Sequence, residues 1–257
     1  MRSTNRILVA ALVLAVAVGC TKRAAVPLLP GPENLPPDDV CATVQGTCKW
    51  PGAKPKLEKL PVASNPECAA HYQGVAAYQE DALVDDKGGL ANVFVYVKSG
   101  LDAKWKFMTP KEVVEIANEK CVYTPRVIGA MQGQTVKFVD KDSFQHNIHS
   151  FVVPGKGDDF NQSLNGTGMS FTAQFNAPQV MVQLKCDLHS WMTGWVGVLE
   201  HPYFAISKPD GSWSFARKLP EGTYVIAAWH ERDRQEKSVT VTVKKGETVT
   251  VPEFDFP

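Results

Sequence analysis

Short apolar runs with a two-residue alternation follow one another along most of this chain, separated by turn signals, and that rhythm restricts the available folds more than any other feature. ANVFVYV at 91–97, QTVKFVD at 134–140, QVMVQLKC at 179–186, GTYVIAAW at 222–229 and KSVTVTV at 237–243 are rich in β-branched and aromatic residues. Such segments suit a pleated, half-buried surface. Asp85-Asp86-Lys87-Gly88-Gly89, Asp210-Gly211 and Lys245-Gly246 punctuate them at spacings typical of sandwiches. PKEVVEIANEKC at 110–121 is the one segment that also fits a helix, and its β-branched centre fits a strand equally well. The fold class is therefore all-β, and 257 residues, 44% of them apolar, suffice for one large or two medium β-rich domains.

Formal charge is zero at pH 7, so no broad basic surface recommends a nucleic-acid partner. The N-terminus is more specific. Arg2 and Arg6 precede the apolar run ILVAALVLAVAVG at 7–19, whose 13 residues are too few to cross a bilayer as a helix and read as a signal peptide. The run ends in AVGC, which resembles the lipobox of bacterial lipoproteins. The resemblance implies residues 1–20 as a leader ending at Cys20, with Cys20 the lipidated residue of an exported protein anchored to a membrane and facing the periplasm or cell surface. Residues 21–39 continue as a tether, with five prolines in AVPLLPGPENLPPDD at 25–39 favouring an extended spacer.

Export into an oxidising compartment makes the cysteines informative. With Cys20 assigned to lipid, five of the six remain, an odd number. Cys186 alone sits beside other metal-ligand residue types, which leaves Cys41, Cys48, Cys68 and Cys121 as disulfide candidates. Proximity in sequence favours Cys41 with Cys48 and Cys68 with Cys121.

CDLHSWM at 186–192 places a thiol, an imidazole and a thioether at Cys186, His189 and Met192, each three residues from the last, and QHNIHSF at 145–151 adds His146 and His149 upstream. Two readings follow. All four nitrogen and sulfur groups of His146, His149, Cys186 and His189 would suit tetrahedral zinc, yet residues three apart on a strand point to opposite faces. One histidine with Cys186, His189 and a weak Met192 makes instead the donor set of a blue copper site. His71, His201 and His230 have no ligand-like spacing and read as structural, and Trp191 and Trp195 as core residues.

Residues 112–200 resemble the cupredoxins, most closely the amicyanin and plastocyanin branch. EVVEIANEKCVYTP is similar to the family's first strand, GQTVKFVDKDSFQHNIHSF to its ligand-histidine strand, and CDLHSWM to its short C-x-x-H-x-x-M loop. The resemblance implies a Greek-key β-sandwich over 109–202 with one type 1 copper. It selects His146, the histidine directly before Asn, as the ligand, with His149 a bystander, and gives Asn147 the role of hydrogen-bonding between the two ligand loops. Gln145 and Ser190 stand where the family often has proline.

FAISKPDGSWSFARKLPEGTYVIAAWHE, from 204 onward, resembles the closing strands of carboxypeptidase-regulatory, transthyretin-like sandwiches, and VQGTCKWPG at 44–52 and GLANVFVYVKSG at 89–100 resemble their opening strands. These likenesses imply a second, Ig/transthyretin-like sandwich built from 40–108 and 203–257 and interrupted by the first. The function implied is membrane-tethered transfer of single electrons between redox proteins, without an enzymatic role. A periplasmic copper carrier or sensor, or the copper module of a redox enzyme, stays open at this point.

Overall fold

The computed structural model describes residues 38–256; the apolar leader, Cys20 and the proline-rich stretch through residue 37 lie outside them. After a 3-10 turn at Asp38–Val40 the chain runs through β1 (Cys41–Lys49), a second 3-10 turn (Val62–Ser64), helix α1 (Pro66–Tyr72), β2 (Phe94–Ser99), β3 (Val114–Glu119), β4 (Val122–Thr124), β5 (Val127–Met131) and β6 (Thr135–Asp140). It continues through β7 (Gln145–Phe151), β8 (Asn161–Asn165), β9 (Ser170–Gln174), β10 (Gln179–Lys185), β11 (Thr193–Leu199) and β12 (Phe204–Ile206). The last strands are β13 (Ser212–Ser214), β14 (Leu219–Pro220), β15 (Gly222–Trp229), β16 (Glu236–Val243), β17 (Thr248–Thr250) and β18 (Phe254–Asp255). The fold is all-β, and the segment that fitted helix or strand equally well contributes β3, paired in parallel with β6.

Two sandwiches result. In the central one a sheet of order β4-β3-β6-β9 faces a sheet of order β5-β11-β10-β7-β8. Alternation sets which side chains meet between them: along β6, Val136 and Phe138 are buried while Thr135 and Lys137 are not. They join Ile116, Ile148, Leu164, Val182, Leu184, Val196 and Val198 in one apolar cluster. In the flanking sandwich β12-β2-β15-β16 faces a sheet built on β1, which pairs with β13, β14, β17 and β18. Strand β2 reads as an unbroken apolar run because both its faces are covered. Val95 and Val97 enter the flanking core, whereas Phe94 and Tyr96 pack outward with Val127, Met181, Trp195 and Trp229 against the central sandwich.

Two glycines make this contact possible. Gly129 and Gly197 are paired partners on β5 and β11. A Cβ at Gly197 would lie 2.3 Å from the Phe94 ring, and one at Gly129 would lie 2.3 Å from Phe204. Without side chains they form a floor on which those two rings stack. A buried ion pair seals the same interface: Arg126 Nε and Nη2 donate to the two carboxylate oxygens of Glu231, and Trp195 Nε1 donates to Glu231 Oε2 at 3.0 Å. Glu231 thus belongs to the packing between sandwiches, whereas the neighbouring His230 ring lies against Phe256 of the flanking core.

One expected disulfide is present and one is not. Cys68 and Cys121 are bridged, joining α1 to the turn between β3 and β4. Cys41 and Cys48 cannot pair, because they are seven residues apart on the single strand β1, a separation of about 23 Å at a strand's rise of about 3.3 Å per residue. A disulfide needs Cα atoms within about 7 Å. Proximity in sequence misleads here because the segment is fully extended.

Candidate metal centre

His146 is the second residue of β7, Cys186 directly follows β10, His189 lies in the turn beyond it, and Met192 directly precedes β11. The antiparallel pairing of β7 with β10 carries both ligand-bearing segments to one end of the central sandwich. His146 Nδ1 lies 3.1 Å from His189 Nδ1, and Cys186 Sγ lies 3.6 Å from the same His189 nitrogen. All three side chains are buried, and their ligand atoms fall within 4.8 Å of one another. Met192 is fully buried in the same apolar cluster as Cys186, and its backbone N–H donates to the His189 carbonyl at 2.9 Å.

His149 is not brought to this cluster. Its Nδ1 meets Asp187 Oδ1 at 3.0 Å at the edge of the protein, and its ring stacks on Phe151. The four-ligand arrangement of His146, His149, Cys186 and His189 is therefore not assembled, and the strand's alternation is the reason.

Asn147 ties the two segments together. Its Oδ1 accepts the Asp187 backbone N–H at 2.7 Å and the Cys186 thiol at 3.2 Å, while Nδ2 donates to Asn161 and Asp187. Tyr123 donates to the Asn147 carbonyl at 2.7 Å, and burial raises its phenol pKa well above the ordinary range.

Two residues not singled out in the sequence complete the surroundings. Asp142 takes His146 Nε2 at 2.9 Å through Oδ2 and also accepts the backbone N–H groups of Lys120 and Cys121. Burial opposes the charged form of Asp142, but the bonds from His146 and the two N–H groups outweigh it and lower its pKa. Burial likewise disfavours the His146 cation, yet the hydrogen bonds with Asp142 and Cys186 raise that pKa to about 9. Burial and the neighbouring His146 push His189 the other way, below its ordinary value. A carboxylate four residues before the histidine, in the turn Lys141-Asp142-Ser143, was the available signal. The second residue is Asn65, whose Nδ2 donates to His189 Nε2 at 3.0 Å and whose Oδ1 caps α1 by accepting Cys68 N–H at 3.0 Å. Its signal was the Asn-Pro pair of a capped helix.

Chemically the cluster offers one sulfur and two imidazole nitrogens from a water-poor site, a set that suits copper or zinc and not magnesium or calcium. Phe144 and Trp191 wall it, their rings 6.2 and 5.3 Å from that of His189. The sheets of residues 114–199 thus make a cupredoxin-like β-sandwich with a buried His-Cys-His cluster at one end.

Among solved structures the chain is similar to a purple cupredoxin from Nitrosopumilus maritimus at 32% identity, covering 33% of this chain and 98% of that one with a TM-score of 0.29. It is similar to amicyanin from Paracoccus versutus at 23% identity, covering 40% and 96% with a TM-score of 0.30. A copper-containing nitrite reductase from Thermus scotoductus SA-01 is 24% identical over 40% of this chain but only 26% of its own, with a TM-score of 0.32. Comparison with protein-family models gives no match, and comparison with curated proteins gives none.

Proposed function

We propose that this chain is a membrane-tethered blue copper protein that carries single electrons between redox proteins. The observation that carries the reading is the convergence of His146 Nδ1, His189 Nδ1 and Cys186 Sγ in one buried cluster. Those three atoms are the proposed ligands, with Met192 as a weak fourth donor. Copper, when bound, supplies the one-electron chemistry by alternating between Cu(II) and Cu(I).

The protein's own contribution is a fixed frame. Asp142 holds the His146 ring by its far nitrogen, and Asn147 fixes Cys186 relative to β7. Such partners set the orientation and basicity of ligands. Met192 and Cys186 are set in the apolar core, so neither donor is free to follow a change in charge. The leader, Cys20 and the proline-rich spacer would hold this sandwich at a membrane surface outside the cytoplasm, within reach of soluble partners. No helix among the described residues is long and apolar enough to cross a membrane. We also propose that 40–108 with 203–257 fold as one unit around 109–202; β2 pairs with β12 and β15, and β1 with β13, β14, β17 and β18, so limited proteolysis should not release 203–257 as a folded piece.

Redox titration of the copper-loaded soluble form, lacking residues 1–20, tests the reading. It should take up and release one electron per chain over repeated cycles with the oxidised spectrum restored each time. Loss of copper on reduction would identify a carrier instead.

A further inference from the structure

The outer edge of the metal cluster is closed by a segment that precedes the central sandwich in sequence. His189 is only 2% exposed, because the 62–72 segment lies across it with Asn65 against Nε2. The polarity of that hydrogen bond is set elsewhere. Asn65 is the N-cap of α1, and its carbonyl oxygen is occupied by Cys68 N–H, one of the first-turn donors with no acceptor inside the helix. Only the NH2 end of the amide is left for His189.

An NH2 group can donate and cannot accept, so this pairing suits a lone pair on His189 Nε2 and places the neutral ring's proton on Nδ1. Nδ1 is the atom that faces Cys186 and His146. A metal held there needs the lone pair on Nδ1, which moves the proton to Nε2, opposite a donor. The exchange is neutral overall: Nδ1 loses one hydrogen and Nε2 gains one. It leaves two N–H donors, of His189 and Cys68, facing opposite ends of an amide whose one oxygen is turned to Cys68.

The segment is not free to swing aside. The Cys68–Cys121 bridge, Tyr72 Oη on the Lys120 carbonyl at 2.7 Å, and His71 Nε2 on Asp142 at 3.3 Å pin α1 to the site. We infer, resting on the copper reading, that Asn65 is a metal-responsive positioning residue. Loading the site turns its amide over, so that the oxygen accepts His189 Nε2–H and the α1 cap is given up. Asn65 therefore holds metal affinity below what the ligands alone would reach and couples occupancy to the start of α1.

Asn65→Asp discriminates, because a carboxylate can accept both N–H groups at once. Competition with a chromophoric Cu(I) chelator should show Asn65→Asp binding Cu(I) about tenfold more tightly than wild type, in the range outer ligand partners command. A merely structural role for Asn65 predicts no gain, because Asp caps a helix as well as Asn does. Independently of that variant, Cys68 N–H in the wild-type chain should be protected from hydrogen exchange when metal-free and lose protection on Cu(I) loading. Unchanged or weaker Cu(I) binding by Asn65→Asp, or a Cys68 amide indifferent to Cu(I), overturns the role of Asn65 while leaving the copper reading intact. Failure of the wild-type chain to bind Cu(I) at all overturns both.

Discussion

His146 and His149 stand three residues apart on β7 and occupy different worlds: the first is fully buried beside Cys186, the second sits at the edge against Asp187. Replacing His146 by Ala removes a donor from the proposed trigonal plane, so the copper-loaded variant should lose the oxidised colour or show an altered spectrum. His149→Ala removes a partly exposed contact and should retain the wild-type spectrum with a stability change of about 0.5 kcal/mol, the scale of a surface pair. Absorption spectra of the two loaded variants, side by side, decide this, and equal loss in both would contradict the placement. The ligand types and spacings were plain in CDLHSWM and QHNIHSF because each residue's chemistry is local. Asp142 and Asn65 were not, since their contacts to His146 and His189 are made through a turn and through chain 124 residues away.

The strands were legible for a related reason. β10 and β15 occupy almost the residues that alternation and β-branched content mark out, 179–185 and 222–229, because a half-buried strand carries its pattern on its own residues. Helix α1 carried no such pattern. It spans seven residues with one buried side chain and depends on its Asn65 cap, Pro66 and the bridge to Cys121. The pairing of Cys41 with Cys48 failed because distance along a strand is distance in space. The bridge that does form closes a separation of 53 residues, which the loop-entropy relation values at about 4 kcal/mol. The double variant Cys68→Ser, Cys121→Ser should therefore unfold at lower denaturant by about that amount, and reduction of the wild-type protein should reproduce it. A midpoint unmoved by either treatment would contradict a structural role for the bridge.

Across the whole molecule, the joint between sandwiches rests on the buried Arg126–Glu231 pair and the aromatic contacts around it. Glu231→Ala leaves a guanidinium buried without its partner and should destabilise the protein by about 3–5 kcal/mol, read by chemical denaturation. A loss below about 1 kcal/mol would show that water reaches the joint. Beside it His230 is buried, and that burial, against the pull of Glu231, lowers its pKa to about 4. A folded-state pKa below the ordinary 6.5 means that the unfolded chain takes up the proton first, so this group's stability is intact above about pH 6.5 and declines as pH falls toward 4. The expected share is about 3 kcal/mol, and His230→Phe, packed on Phe256, should flatten the stability profile by that amount over that interval; a profile identical to wild type would contradict it. The central claim, one copper held by His146, Cys186 and His189 in this all-β chain, is met most directly by loading the soluble form with copper, counting metal per chain and recording its absorption. One copper with an intense visible band that vanishes in Cys186→Ser is the predicted result, and a colourless protein that retains a single zinc in the presence of copper would contradict it.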